Sequence, residues 1–220
     1  MKKLYTLCCV VLAMGLLGTA ILIYLSPEIV PVHYNFAGEV DRYGSKYENL
    51  LWPFFAILIG GFLMLIAKTV GRKQSEKDEK VILYVALATL VFFMILGFFF
   101  MIKSMRYDSS APVEMSMDIL KTLGFGLGGM QIVLGILIPK TKLNSYIGLR
   151  TKWSMANDNV WAQSQRFCGK VSIICGILMI AMAVLMPSIW GFVALTVLLV
   201  VWAILSIGGS YYFYKKDKEK

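Results

Sequence analysis

Between Lys140 and Lys170 six cations, Lys140, Lys142, Arg150, Lys152, Arg166 and Lys170, stand against one acid, Asp158, and are interleaved with Tyr146, Trp153 and Trp161. Cations beside amphipathic aromatics suit a phosphate headgroup layer or an acidic partner. Arg150 and Arg166 add a fork that holds phosphate or carboxylate in bidentate fashion, which a lysine ammonium does not do. A loop that is basic only to fix membrane topology accounts for the charge. It does not account for the spacing of Asn144, Gly148, Arg150 and Trp153. A second constellation surrounds His33, the only histidine, with Asn35, Glu39, Asp41 and Glu48 nearby. A catalytic zinc usually takes three protein ligands with more imidazole or thiolate than this stretch offers. His33, Asn35 and Asp41 are better suited to bracing an irregular loop through side-chain to backbone hydrogen bonds, and an imidazole there would also allow a pH-sensitive contact. There is no nucleophile elbow, Walker loop or zincin helix. The sequence therefore offers no catalytic residue, and no cofactor or metal is expected.

The elements that must position these groups are apolar. The chain of 220 residues is 58% hydrophobic with a mean hydropathy of +0.70, well above an ordinary soluble domain, so an all-α integral membrane protein is expected. The net charge of +9 could suggest nucleic acid, but the basic residues cap apolar runs instead of lining one soluble face; no direct nucleic-acid contact is expected. Six spans follow. Leu4–Leu25 is too long for a signal core and reads as an uncleaved span, although Gly18-Thr19-Ala20 loosely resembles a cleavage site. Leu50–Ala67, with Pro53 in its first turn, Val81–Ile102 and Met117–Ile138 are the next three, and Lys68–Lys80 reads as a hydrophilic linker. The uncharged run Val171–Tyr214 would extend about 66 Å as one helix, over twice the hydrocarbon thickness, so it must fold back at Pro187-Ser188. Ser26–Asn49, with Pro27, Pro31, Gly38 and Gly44, favours turns and one short strand near Val30–Phe36.

Within the fourth span Gly124 and Gly128 share a helix face suited to close packing, and Gln131 should face the bundle and hydrogen-bond there. Asn157 or Ser154 can cap a helix carrying Trp161, Gln165 and Cys168 on one stripe, a short interfacial segment turning into the fifth span. Cys8, Cys9, Cys168 and Cys175 fall in or beside apolar runs and read as small buried residues. Counting Lys and Arg on alternate sides gives 17 against five, which the positive-inside rule turns into cytoplasmic termini, a cytoplasmic basic loop and an external His33 loop.

Two blocks carry a resemblance. Asn144-Ser-Tyr-Ile-Gly148-Leu-Arg150-Thr-Lys-Trp153, then Val160-Trp161, Gln165-Arg166 and Gly169, looks like the characteristic segment of the SdpI family of bacterial membrane proteins, with Lys152 where that family usually has Pro and Gln165 where it often has His or Asn. Pro31-Val-His33-Tyr-Asn35-Phe-Ala-Gly38-Glu-Val-Asp41-Arg-Tyr-Gly44-Ser-Lys46 resembles the N-terminal domain of unknown function that often accompanies it. The resemblance implies a non-catalytic protein of the bacterial inner membrane that confers immunity to a secreted, membrane-active peptide toxin. In some relatives it also implies retention of a cytoplasmic repressor at the membrane. The chain divides accordingly into a two-span unit at 1–70 with the His33 loop, a linker and third span at 71–116, and a three-span unit at 117–220 containing the basic loop 140–170. Rival readings are a small multispan transporter or exporter, which should leave a polar path through the bundle and has Gln131 alone in its support, and a membrane enzyme acting on lipid or peptidoglycan precursors, which would need convergent acid or base residues.

Overall fold

The computed structural model describes residues 1–35, 40–73, 75–106, 115–186 and 188–219, with the backbone alone for 115–118, 188 and 189. Gly38, Glu39, Pro112 and Pro187 lie outside the described residues, as does the side chain of Asp118. Six helices, each long and apolar enough to cross a membrane, run in alternating directions: α1 (Lys2–Leu25), α2 (Lys46–Lys73), α3 (Glu76–Met105), α4 (Met115–Leu137), α5 (Asp158–Leu185) and α6 (Ser188–Lys218). A two-stranded antiparallel hairpin, β1 (Ile29–Tyr34) and β2 (Val40–Ser45), follows α1. The expected single strand is thus paired. Its register pairs Val30 with Gly44 and slips on either side of His33.

The hydrophilic linker expected over Lys68–Lys80 is helix at both ends. α2 continues to Lys73, and α3 begins at Glu76 behind the cap Ser75, whose hydroxyl accepts from the backbone N–H groups of Lys77 and Asp78 at 3.2 and 3.4 Å. The acids Glu76, Asp78 and Glu79 in the first turn and Lys103 in the last complement the helix dipole, so charge in this stretch strengthens helix ends instead of breaking them. Pro53 also sits deeper than its expected first-turn position. α2 opens as a 3-10 turn over Lys46–Leu50, is α-helical over Leu51–Phe55 and widens to π geometry over Ala56–Gly61. Proline removes one rung of the helical ladder, and the π widening follows within a turn.

α3 stands between the two halves, packing on α1 and α2 on one side and on α4 on the other, while α4, α5 and α6 pack on one another. The α4–α5 seam is the tightest, because glycine lets the backbones meet: a Cβ added at Gly128 would lie 2.6 Å from the Gly176 carbonyl, and one at Gly135 would lie 2.6 Å from the Gly169 carbonyl. Gly124 abuts Ala183 in the same seam. Gln131 is buried here, as expected, but its Oε1 has no hydrogen-bond partner among the described residues. The exterior is apolar, with Met14, Leu17, Leu65 and Ile204 each more than 60% exposed, which is tolerable only against lipid. Cys9 joins that exterior, correcting the expectation that all four cysteines are buried; Cys8, Cys168 and Cys175 are interior and none is bonded to another.

The hairpin lies at one end of the bundle. The α2–α3 turn, the segment between α4 and α5, and both chain termini lie at the other, where the Tyr5 hydroxyl donates to Glu79 at 3.0 Å and Asn157 donates to Asp217 at 2.7 Å.

Candidate functional site

The basic segment is a folded object, built around buried polar side chains that bond to its own backbone. α4 tightens into a 3-10 turn over Ile138–Lys140, and the chain then runs without regular structure to Asn157. Asn144, 5% exposed, fixes the first bend. Its Oδ1 accepts from the N–H groups of Tyr146 and Ile147 at 2.8 Å, and its Nδ2 donates to the carbonyls of Lys142 and Ile147. Gln165, on α5 and fully buried, grips the middle: Oε1 accepts from Leu149 N–H at 2.8 Å while Nε2 donates to the Leu149 carbonyl at 2.9 Å. One side-chain amide thereby replaces the neighbour that a strand would have given Leu149, and buried backbone groups require such a partner. Ser154 closes the far side, donating to the Leu149 carbonyl at 2.6 Å and accepting from Thr151 N–H at 2.9 Å.

Gly148 makes the geometry possible. Its φ of +119° is the only left-handed backbone among the described residues, and a Cβ there would come within 2.9 Å of both Gln165 Oε1 and the Trp161 ring. Only glycine satisfies both demands. Trp161 is 1% exposed and donates from Nε1 to the Thr141 carbonyl at 3.2 Å. It is therefore the floor of the loop and not a headgroup anchor, which corrects the expectation of a separate interfacial helix. α5 starts at Asp158, capped by Asn157 Oδ1 on Val160 N–H at 2.9 Å, and continues straight into the span, with Trp161, Gln165 and Cys168 all turned inward.

The loop is also tied to its surroundings. Asp78, 2% exposed at the start of α3, accepts from Lys142 N–H at 3.2 Å, and Ile147 packs on the cluster of Ala67, Val70, Ile82 and Leu83. Thr151 Oγ1 lies 2.9 Å from Ser210 Oγ on α6, and Trp153 meets Tyr211 edge-on at 5.0 Å. Asp78, Thr141 and Ser210 were not singled out by sequence reasoning. Only Asp78 carried a signal, as the fourth residue of a Ser-x-x-Asp helix start.

Around this framework the cations point outward. Lys140, Lys142, Arg150, Lys152, Arg166 and Lys170 are all exposed, and none has an ion-pair partner among the described residues. Lys152 Nζ lies 5.2 Å over the Trp153 ring. Of the six candidates in this segment, Asn144, Gly148 and Trp161 hold the shape, Arg150 and Arg166 form its charged rim, and Trp153 links it to α6. Such a surface can bind phosphate or carboxylate through uncommitted guanidinium and ammonium groups.

His33, Asn35 and Asp41 lie at the opposite end, on and beside the hairpin. His33 Nδ1 is 2.6 Å from Asp41 Oδ1, with both side chains substantially exposed. Arg42 pairs with Glu48 at 3.0 Å and Lys46 with Glu28 at 2.9 Å. The structure does not bring these residues together with the basic loop.

Six apolar helices enclosing polar, self-satisfied ends define a multi-pass protein of the bacterial membrane. Its residues 140–210 match the model of the SdpI/YfhL protein family, and residues 10–57 match a domain of unknown function, DUF1648. The chain is 25% identical over 211 residues to the Immunity protein SdpI of Bacillus subtilis, covering 94% of each chain, and 34% identical over 64 residues to the Uncharacterized protein YfhL of the same organism, covering 28% of this chain and 58% of that one. No solved structure matches it. The resemblance read from the two polar blocks thus holds for both, in the same order along the chain.

Proposed function

We propose that this protein is a membrane immunity protein that protects the cell in which it sits from a membrane-active peptide, without catalysis. The observation that carries the reading is the similarity to an immunity protein along 94% of both chains, which takes in the spans as well as the loop. The inward side is the end bearing the basic loop, and that loop is the surface offered to anionic headgroups or to an acidic cytoplasmic partner, such as a repressor held at the membrane. Exposed, unpaired Arg150 and Arg166 on a rigid frame support that assignment, because a merely topological loop has no need of a buried scaffold. The transporter reading rests on Gln131 Oε1, a buried acceptor without a described partner. A transport path would need further polar groups along the same seam, and the residues of α5 that meet the α4 glycines, among them Gly169, Ile173, Gly176, Ile180 and Ala183, are apolar.

The test is expression in a peptide-sensitive bacterial host, scoring survival with and without added membrane-active peptide. Survival should rise with expression in the presence of peptide and be unchanged in its absence. Equal killing of expressing and non-expressing cells would overturn the reading.

A further inference from the structure

At the end of the bundle opposite the basic loop, the hairpin roofs a cavity of about 440 Å³, within the range of small-ligand sites. Its chamber is aromatic and aliphatic, walled by Trp52, Phe55, Phe100, Leu123 and Phe192; Trp52 and Phe100 stack at 5.2 Å. Its rim is polar but electrically balanced. Arg42 at the rim is paired with Glu48 at 3.0 Å, and the neighbouring His33 and Lys46 lie against Asp41 and Glu28 at 2.6 and 2.9 Å. This is the reverse of the basic loop, where six cations have no ion-pair partner among the described residues. An anionic headgroup seated on Arg42 would have to displace Glu48, whereas a neutral peptide group can use the donors of Arg42 and the acceptors of Glu48 as they stand. A second observation marks the same place: the π widening of α2 begins at Ala56, immediately after the wall residue Phe55, and such widenings concentrate at functional sites.

We propose that this cavity holds an apolar, uncharged stretch of peptide, with side chains in the aromatic chamber and neutral main chain at the Arg42–Glu48 rim. The proposal rests on the immunity reading for its biological ligand, a membrane-active peptide arriving from outside. A phospholipid is the poorer fit, because its tail would suit the chamber but its phosphate would meet the Glu48 carboxylate beside Arg42.

The experiment uses the full chain in proteoliposomes, with Cys9→Ser to remove the exposed thiol and Leu51→Cys as reporter, since Leu51 lines the cavity yet is 55% exposed. The rate of maleimide labelling is followed with two probes, the neutral tripeptide N-acetyl-Leu-Phe-Trp amide and the anionic amphiphile dodecyl phosphate. The tripeptide at about four times its dissociation constant should slow labelling about fivefold, because only the empty fraction reacts, and dodecyl phosphate should leave it unchanged. Adding Leu123→Trp, which fills the chamber, should abolish the protection. A control thiol at Ser45→Cys, on β2 and absent from the cavity wall, should not respond to either probe. No slowing by the tripeptide, or equal slowing by dodecyl phosphate, would overturn the proposal. In peptide-challenged cells Leu123→Trp should lose protection at wild-type abundance. If the wild type itself gives no survival advantage, the immunity reading falls and the labelling alone decides the cavity. If the wild type protects while the tripeptide leaves labelling untouched, the cavity proposal falls alone.

Discussion

Gln165 is the residue whose removal should reveal most about the loop. It supplies both a donor and an acceptor to Leu149 from a fully buried position, so Gln165→Leu leaves the Leu149 N–H without its partner at about 1–3 kcal/mol, while the Leu149 carbonyl keeps the Ser154 hydroxyl. The expected result is a lower melting temperature in detergent together with new protease cleavage between Lys142 and Ser154, measured by a thermal shift and limited proteolysis. Gly148→Ala should behave similarly, through backbone strain and the contact with Trp161. Arg150 is the opposite case. Because it is exposed and unpaired, Arg150→Lys should leave melting unchanged while reducing peptide protection at matched membrane abundance, as the ammonium cannot reproduce a bidentate fork. Unaltered protection would make the loop a spacer. Sequence spacing pointed to Asn144, Gly148 and Trp161 but not to their division of labour. A tryptophan among lysines looks the same in sequence whether it lies on headgroups or under a loop, and only the three-dimensional path puts its Nε1 against the Thr141 carbonyl.

Among the elements, the helices were the most legible part, since twenty-residue apolar runs leave little choice in a bilayer. Their ends were less so. Lys68–Lys80 reads as a linker by its charge, yet Glu76, Asp78 and Glu79 belong to a capped first turn and Arg72 and Lys73 to a last turn, where such charges are favourable. The π stretch of α2 left no sequence signature beyond Pro53. The α4–α5 seam was legible from Gly124-x-x-x-Gly128, but its partners Gly169, Gly176 and Ala183 emerge only when the two helices are set side by side. Gly128→Leu must displace the Gly176 backbone, and overpacking of this kind costs about 1–3 kcal/mol. Reduced accumulation and a lower melting point in detergent are expected, read by in-gel fluorescence of a C-terminal fusion. Wild-type values would mean that this face meets lipid.

At the scale of the whole molecule the two ends differ in kind. One carries the basic loop, both termini and a rim of uncommitted cations; the other carries a hairpin whose charges are paired over an apolar chamber. Each functional assignment depends on which end faces the cytoplasm, since an inward partner requires the loop inside and an external peptide requires the hairpin outside. The 17 to five distribution of Lys and Arg argues for that orientation through the positive-inside rule. The measurement that tests it most directly is cysteine labelling of intact cells with a membrane-impermeant maleimide, with Cys9 replaced by Ser, at the exposed positions Ser45 on the hairpin and Ser145 in the loop; buried Ser154 would report on folding instead of sidedness. Ser45→Cys should react from outside, and Ser145→Cys only after permeabilisation. Reaction of Ser145→Cys in intact cells, with Ser45→Cys protected until they are opened, would contradict the account.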